Sequence, residues 1–217
     1  MSSSVGTKIA VVDHGTGNLT SLTRALSKTG STPVRCTSPA DAEGCAALML
    51  PGVGSFPNGM AALSASGFTE FLKKQAHDRV PLLGVCLGMQ MLFGRSGEQG
   101  DTEGLGLLDG TVRPLDAGNE RVPHIGWSLV QWSRPSQLTA GLEAETAMYH
   151  VHSFVAEPGD REDVLGTASH GEVFTSAVER ENIYGVQFHP EKSSDAGLRL
   201  LRNFAGIAAA VDKKIAI

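Results

Sequence analysis

The stretch Pro81-Leu82-Leu83-Gly84-Val85-Cys86-Leu87-Gly88-Met89-Gln90-Met91-Leu92-Phe93 decides how this chain is read. Its first half is a short apolar run of the kind that fills a buried strand, and a helix-like apolar segment follows the cysteine at once. Glycines stand two positions before and two after Cys86, in the pattern G-x-C-x-G. This is the thiol counterpart of the nucleophile elbow, a sharp strand-to-helix turn that lifts one side chain above a sheet. Small flanking residues let the backbone crowd there, and a following helix turns its positive end toward a thiolate. The plainer alternative is a buried structural cysteine at the end of a core strand, since free cysteines are among the most buried residues.

Outward from the elbow, the N-terminal part alternates strand and helix. Lys8 to Asp13 is an apolar run suited to a buried parallel strand, and Gly15-Thr16-Gly17-Asn18 reads as the turn after it. Leu19, Leu22, Ala25 and Leu26 then recur at helical spacing, with Gly30 placed to end the helix. A dinucleotide-binding reading of this G-x-G fails for want of the third glycine. Strands are expected at Pro33 to Cys36 and Ala46 to Leu50, and helices around Ala61 and Glu70-Phe71-Leu72. Such β–α–β alternation predicts an α/β fold with a mixed, largely parallel sheet flanked by helices. From Gly104 to Val178 the pattern changes to short strands, at Ile125 to Trp132, Met148 to Val155 and Val173 to Val178, which predicts an antiparallel extension. Ser193-Ser194-Asp195 is placed to cap a last helix that carries Leu198, Leu201, Phe204 and Ala205 on one face.

The second informative stretch is Ile183-Tyr184-Gly185-Val186-Gln187-Phe188-His189-Pro190-Glu191-Lys192-Ser193. Tyr184, Val186 and Phe188 alternate as in a strand, and His189 stands where it ends. Residues two apart in extended chain face the same side, so His189 and Glu191 can project together. Pro190 keeps His189 out of helical geometry. A histidine that takes a proton from a thiol needs a carboxylate to orient it, so Cys86, His189 and Glu191 supply nucleophile, base and orienter. Singly, His189 could be an ordinary surface histidine and Glu191 a solvated charge.

Gly84 to Gln90 and Gln187 to Ser193 together resemble the signatures of the class I (triad) glutamine amidotransferases. A third match, Leu50-Pro51-Gly52-Val53-Gly54-Ser55-Phe56, resembles that family's oxyanion strand, where glycines let backbone N–H groups point at a developing oxyanion. By itself, P-G-V-G would be a turn after an apolar run. The resemblance implies a flavodoxin-like fold and hydrolysis of L-glutamine through a cysteinyl thioester, with ammonia passed to a synthase. It places oxyanion donors at Leu87 and at Gly52 or Val53, and the glutamine head group at Gln90 and Glu98. Gln90 lies one helical turn past Cys86. The alternatives are an exposed helix residue for Gln90 and a loop charge for Glu98.

Met89 after Gly88, Lys192 after Glu191, Asp13 to Leu19, Pro123 to Trp127 and Tyr149 to Phe154 narrow the likeness. They resemble the glutaminase subunits of imidazole glycerol phosphate synthases, from residue 8 to the C-terminal helix. Anthranilate-type, carbamoyl phosphate and guanylate amidotransferases usually carry histidine where Met89 stands. The narrower resemblance implies a (β/α)8 cyclase partner that makes imidazole glycerol phosphate and an aminoimidazole carboxamide ribotide, with Asn18 and Lys192 facing it. Plain surface polarity is the alternative for both. His14 and Ser128 depart from the usual pattern, which has a tyrosine or small residue and an asparagine. A glutaminase serving another synthase, or a catalytically silent binding subunit, are the competing readings.

The 217 residues are expected to form a single domain, with residues 1–6 as a loose terminus. Hydrophobic residues make up 41%, an ordinary globular fraction. A net charge of −5, from 18 basic and 23 acidic residues, offers no electrostatic reason to bind nucleic acid. No 18-residue apolar run or signal peptide is evident, so membrane insertion is not expected. Three cysteines fit a reduced, cytoplasmic setting better than a disulfide framework. No Cys/His spacing matches a zinc site, and no cofactor is expected: G-x-x-x-x-G-K-[ST] does not occur.

Overall fold

The computed structural model describes residues 6–15 and 19–215, the side chains of 212–215 excepted. The expected loose terminus falls largely, and Asn18 wholly, outside the described residues. The first half runs β1 (Lys8–Val12), α1 (Leu19–Ser27), β2 (Thr32–Cys36), β3 (Ala47–Gly52), α2 (Phe56–Ala65), α3 (Phe68–His77), β4 (Leu82–Cys86) and α4 (Leu87–Gln90). Then come β5 (Phe93–Ser96), β6 (Thr102–Glu103), β7 (Leu108–Pro114), β8 (His124–Trp132), β9 (Glu145–His152), β10 (Phe154–Pro158), β11 (Val164–His170), β12 (Glu172–Arg180), β13 (Ile183–Val186) and α5 (Ser194–Ile215).

The parallel part of the sheet has the order β2-β1-β3-β4-β13. Every residue of β3 and β4 is buried, which accounts for runs without polar alternation. Ile9, Val11, Met49, Leu83 and Val85 pack on one face beneath Leu22 and Leu26 of α1 and Leu201 and Phe204 of α5. Ala10, Val12, Leu48 and Leu50 pack on the other, beneath Phe56 and Leu63 of α2 and Phe68 and Leu72 of α3. The period of two along each strand thus feeds two helical layers.

Beyond β13 the sheet becomes mostly antiparallel: β12, β10 and β7 follow in order, with β5 parallel to β7. A branch leaves β12 through β11 to β8 and β9, all antiparallel. This branch returns to the parallel core, because His150 bridges Phe188 and the His189 N–H donates to the Tyr149 carbonyl at 2.8 Å.

Three local expectations need correction. The segment after Cys86 is one helical turn, not a longer helix, because Phe93 to Ser96 leaves to pair with β7. Pro51 and Gly52 are the last residues of β3 rather than a turn after it, aligned with Val85 and Cys86 of β4. The Ser193 hydroxyl does not cap α5. It donates to the His189 carbonyl at 2.7 Å and accepts the Tyr149 N–H at 3.0 Å, fastening the turn that carries His189.

Candidate functional site

β3, β4 and β13 are adjacent and parallel, so their C-terminal ends lie together at one edge of the sheet, where open α/β folds place ligands. Gly52 ends β3, Cys86 ends β4, and Gln187 to His189 follow β13. A cavity of about 300 Å³ opens there, lined by Cys86, Leu87, Gln90, Glu98, Val53 and His189 among others.

Cys86 sits at φ 56° and ψ −115°, a backbone region that side chains rarely adopt. Its two flanking glycines are what allow the bend. A Cβ on Gly84 would lie 2.6 Å from the Gly88 carbonyl oxygen, and one on Gly88 would lie 1.7 Å from the Leu50 oxygen. The Cys86 Sγ is 3.6 Å from the Val151 carbonyl oxygen and 3.8 Å from Gln187 Nε2.

His189 has extended backbone, at φ −100° and ψ 99°, and Pro190–Lys192 form a 3-10 turn. That turn, rather than the extended chain the sequence pattern implies, brings Glu191 Oε1 to 3.0 Å from His189 Nδ1. With Nδ1 so engaged, Nε2 is the nitrogen left for Cys86. Burial works against a charge on His189, but its hydrogen bonds to Cys86 and Glu191 outweigh this and raise it to about 9. An imidazolium at neutral pH is the acid a departing amine requires. Glu191 Oε2 is buried without a hydrogen-bond partner, beside a cavity of about 30 Å³ lined also by Gly52, Val53 and Lys192.

The remaining expected residues meet around this pair. Gln90 is buried, not an exposed helix residue: its Nε2 donates to the Phe154 carbonyl and to Gln187 Oε1, both at 3.0 Å. Both amide hydrogens are thereby used, and Oε1 remains to accept from a ligand. Glu98 is no free loop charge, since Oε2 accepts the Phe56 N–H at the start of α2 at 2.8 Å. Leu87 and Val53 line the cavity, Leu87 buried and Val53 42% exposed, so the second of these is where the wall gives onto solvent. Gly52 is packed against Leu87, whose Cβ would be 3.0 Å from a Cβ placed on the glycine. Lys192 borders both cavities, and its Nζ lies 5.8 Å from the centre of the Tyr149 ring.

Several contributors lie within the motifs read in the sequence without being given a role there. Gln187 bridges Cys86 and Gln90, while Val151 and Phe154 act only through backbone carbonyls. His14 Nε2 lies 2.9 Å from the Pro51 carbonyl, tying the first strand's loop to the strand that ends at Gly52.

Residues 10–207 match the family described as Glutamine amidotransferase class-I. The chain belongs to the class-I glutamine amidotransferase family. Among its relatives, imidazole glycerol phosphate synthase subunit HisH of Moorella thermoacetica is 45% identical over 90% of this chain and 93% of its own. The protein of the same name from Geobacillus thermodenitrificans is 41% identical over 93% and 96%. A crystal structure titled glutamine amidotransferase superposes with a TM-score of 0.75 at 20% identity, covering 93% of this chain and 98% of that one. The structure of PurLQS from Thermotoga maritima gives 0.76 at 16%, covering 93% and 99%. These two likenesses establish the fold of a class-I amidotransferase. No helix among the described residues is long and apolar enough to cross a membrane.

Proposed function

We propose that this amidotransferase is the glutaminase subunit of an imidazole glycerol phosphate synthase, serving histidine biosynthesis. The Cys86 thiolate attacks the side-chain carbonyl carbon of glutamine. The C–N bond then breaks as His189 gives its proton to the nitrogen, and ammonia leaves. Water, deprotonated by His189, attacks the thioester; the C–S bond breaks, and glutamate and the thiol are restored. Glu191 keeps His189 oriented and balances its charge. The Leu87 N–H and a peptide N–H at Gly52 or Val53 face the oxyanion. Gln90 Oε1 and Glu98 offer acceptor oxygens to the substrate's ammonium group.

The observation that carries this reading is the placement of a strained cysteine and a histidine in one cavity at the strand ends, the histidine held from behind by Glu191. Ammonia made there would pass to a cyclase subunit in a heterodimer, with Lys192 and Asn18 at its face. Support for such a partner comes from β8, where Ile125, Trp127 and Leu129 all stand outward, each more than half exposed. Pro123, just before that strand, lines the cavity itself. Three free cysteines support a reduced, cytoplasmic setting. Glutamate release measured for the chain mixed with a cyclase, against a Cys86→Ala control, tests the proposal. Release that survives the substitution, or none from the intact complex, would refute it.

A further inference from the structure

At the wall of the glutamine cavity, which His152 itself helps to line, lies a group of imidazoles that the chemistry above does not use. His124, His150 and His152 are buried on β8 and β9, and His124 stacks on His170 with ring centres 4.1 Å apart. Their hydrogen bonds run in an unbroken line. His152 Nδ1 is 3.0 Å from the Phe154 carbonyl, His124 Nδ1 is 3.1 Å from His152 Nε2, and Ser128 Oγ is 3.0 Å from His124 Nε2. The Phe154 carbonyl is also the acceptor for Gln90.

We propose that Ser128, His124 and His152 are positioning residues for the glutamine cavity, forming a one-way hydrogen-bond chain that fixes the Phe154 carbonyl and, through it, the side chain of Gln90. The inference rests on the glutaminase reading above. Its direction follows from donor and acceptor chemistry. A carbonyl only accepts, so His152 carries its hydrogen on Nδ1. Neutral His152 then presents a lone pair at Nε2, which obliges His124 to donate from Nδ1. His124 Nε2 is left to accept the Ser128 hydroxyl.

The rings are held neutral. Burial, then the neighbouring His170, lowers His124 to about 4, with Glu120 opposing; burial, then His124, lowers His152 to about 3. His150 lies outside the line, bonded to Ser176 Oγ at 2.8 Å and to the Met148 carbonyl at 3.1 Å. With their nitrogens spent on one another, the rings offer no cage for an ion, and among the described residues no His/Cys/Asp/Glu group has metal-binding geometry. What the chain does offer is a fixed carbonyl. Removing the His152 donor frees that carbonyl to turn, and Gln90 with it, so glutamine binding should suffer before chemistry does.

Two measurements test this. In the full chain with ¹⁵N-labelled histidine at neutral pH, NMR should show His124 and His152 both as Nδ1–H tautomers. In the complex with the cyclase, His152→Leu should raise the KM for glutamine about tenfold while changing kcat less, the scale of one lost hydrogen bond. His152→Asn, whose amide nitrogen can stand in for Nδ1, should restore most of the loss. An Nε2–H tautomer at His152 overturns the chain even if the leucine variant fails to fold. An unchanged KM in a folded, active His152→Leu overturns the inference alone, whereas no glutamate from the wild-type complex overturns the glutaminase reading and this inference with it.

Discussion

Cys86 holds a conformation that glycine would adopt freely, and the fold bears that cost at the residue proposed as the nucleophile. A non-glycine residue in such a region is strained by about 1–3 kcal/mol, while glycine loses roughly 0.5–1 kcal/mol through its looser unfolded chain. Cys86→Gly is therefore expected to melt above Cys86→Ala, which keeps the Cβ and its strain. Thermal midpoints of the two folded variants decide this, and neither should release glutamate. Cyclase chemistry fed with external ammonium should survive both, because it takes place on the partner. The two members of the His–Glu pair should behave differently. His189→Ala removes base and acid together and should approach the loss seen without the thiol. Glu191→Gln should keep more activity, since an amide oxygen can still accept from Nδ1. Its amide nitrogen, however, enters the small cavity where Oε2 already lacks a partner. Initial rates of glutamate formation separate the two, and equal mild effects would refute these roles.

At the scale of elements, β8 and β9 carry an acid-sensitive load. His124 is lowered to about 4 and His150 and His152 to about 3, by burial first and then by one another and His170. Unfolding near pH 5 thus takes up about three protons that the folded sheet refuses, so stability should be intact above pH 6.5 and fall steadily toward pH 3. His189 has the opposite sign: its contribution is complete below pH 6.5 and lost as pH rises through about 9. Urea midpoints from pH 7 to 4.5 should fall, and His150→Phe should flatten the slope by about one proton. A slope untouched by that change would show that His150 is protonated in the folded state. None of this stacking was visible in the sequence, because Tyr149-His150-Val151-His152 shows alternation but not which rings meet across strands. The strands β1, β3 and β4 were legible, as continuous apolar runs bounded by turn residues. The single turn of α4 was not, since an apolar run does not say where pairing with β7 will claim it. His189 and Glu191 were brought together as expected, but by a 3-10 turn rather than extended chain. Ser193 looked like a helix cap and proved to be a clasp on that turn.

For the whole molecule, an ammonia source without control would waste glutamine, and Pro51-Gly52-Val53-Gly54 lies where a gate can act. Gly54 sits at φ 100°, and the neighbouring peptides can present either C=O or N–H to the oxyanion. The isolated chain should accordingly be nearly inactive, and glutamate release should rise by orders of magnitude once cyclase and an acceptor-site ligand are added. Full activity alone, unchanged by either addition, would show that no such gate exists. The sheet order has one further consequence. Cys86 and Gln187 are 101 positions apart yet in contact, since β13 returns to lie beside β4 after all of the antiparallel extension has been made. A cut between β8 and β9, in the mostly exposed run 140–144, would leave the thiol on one fragment and the imidazole on the other. Glutamine hydrolysis would then report the meeting of two polypeptides, so the fold already has the layout of a split-enzyme sensor, its halves linked covalently by one loop and otherwise by strand pairing across the cut.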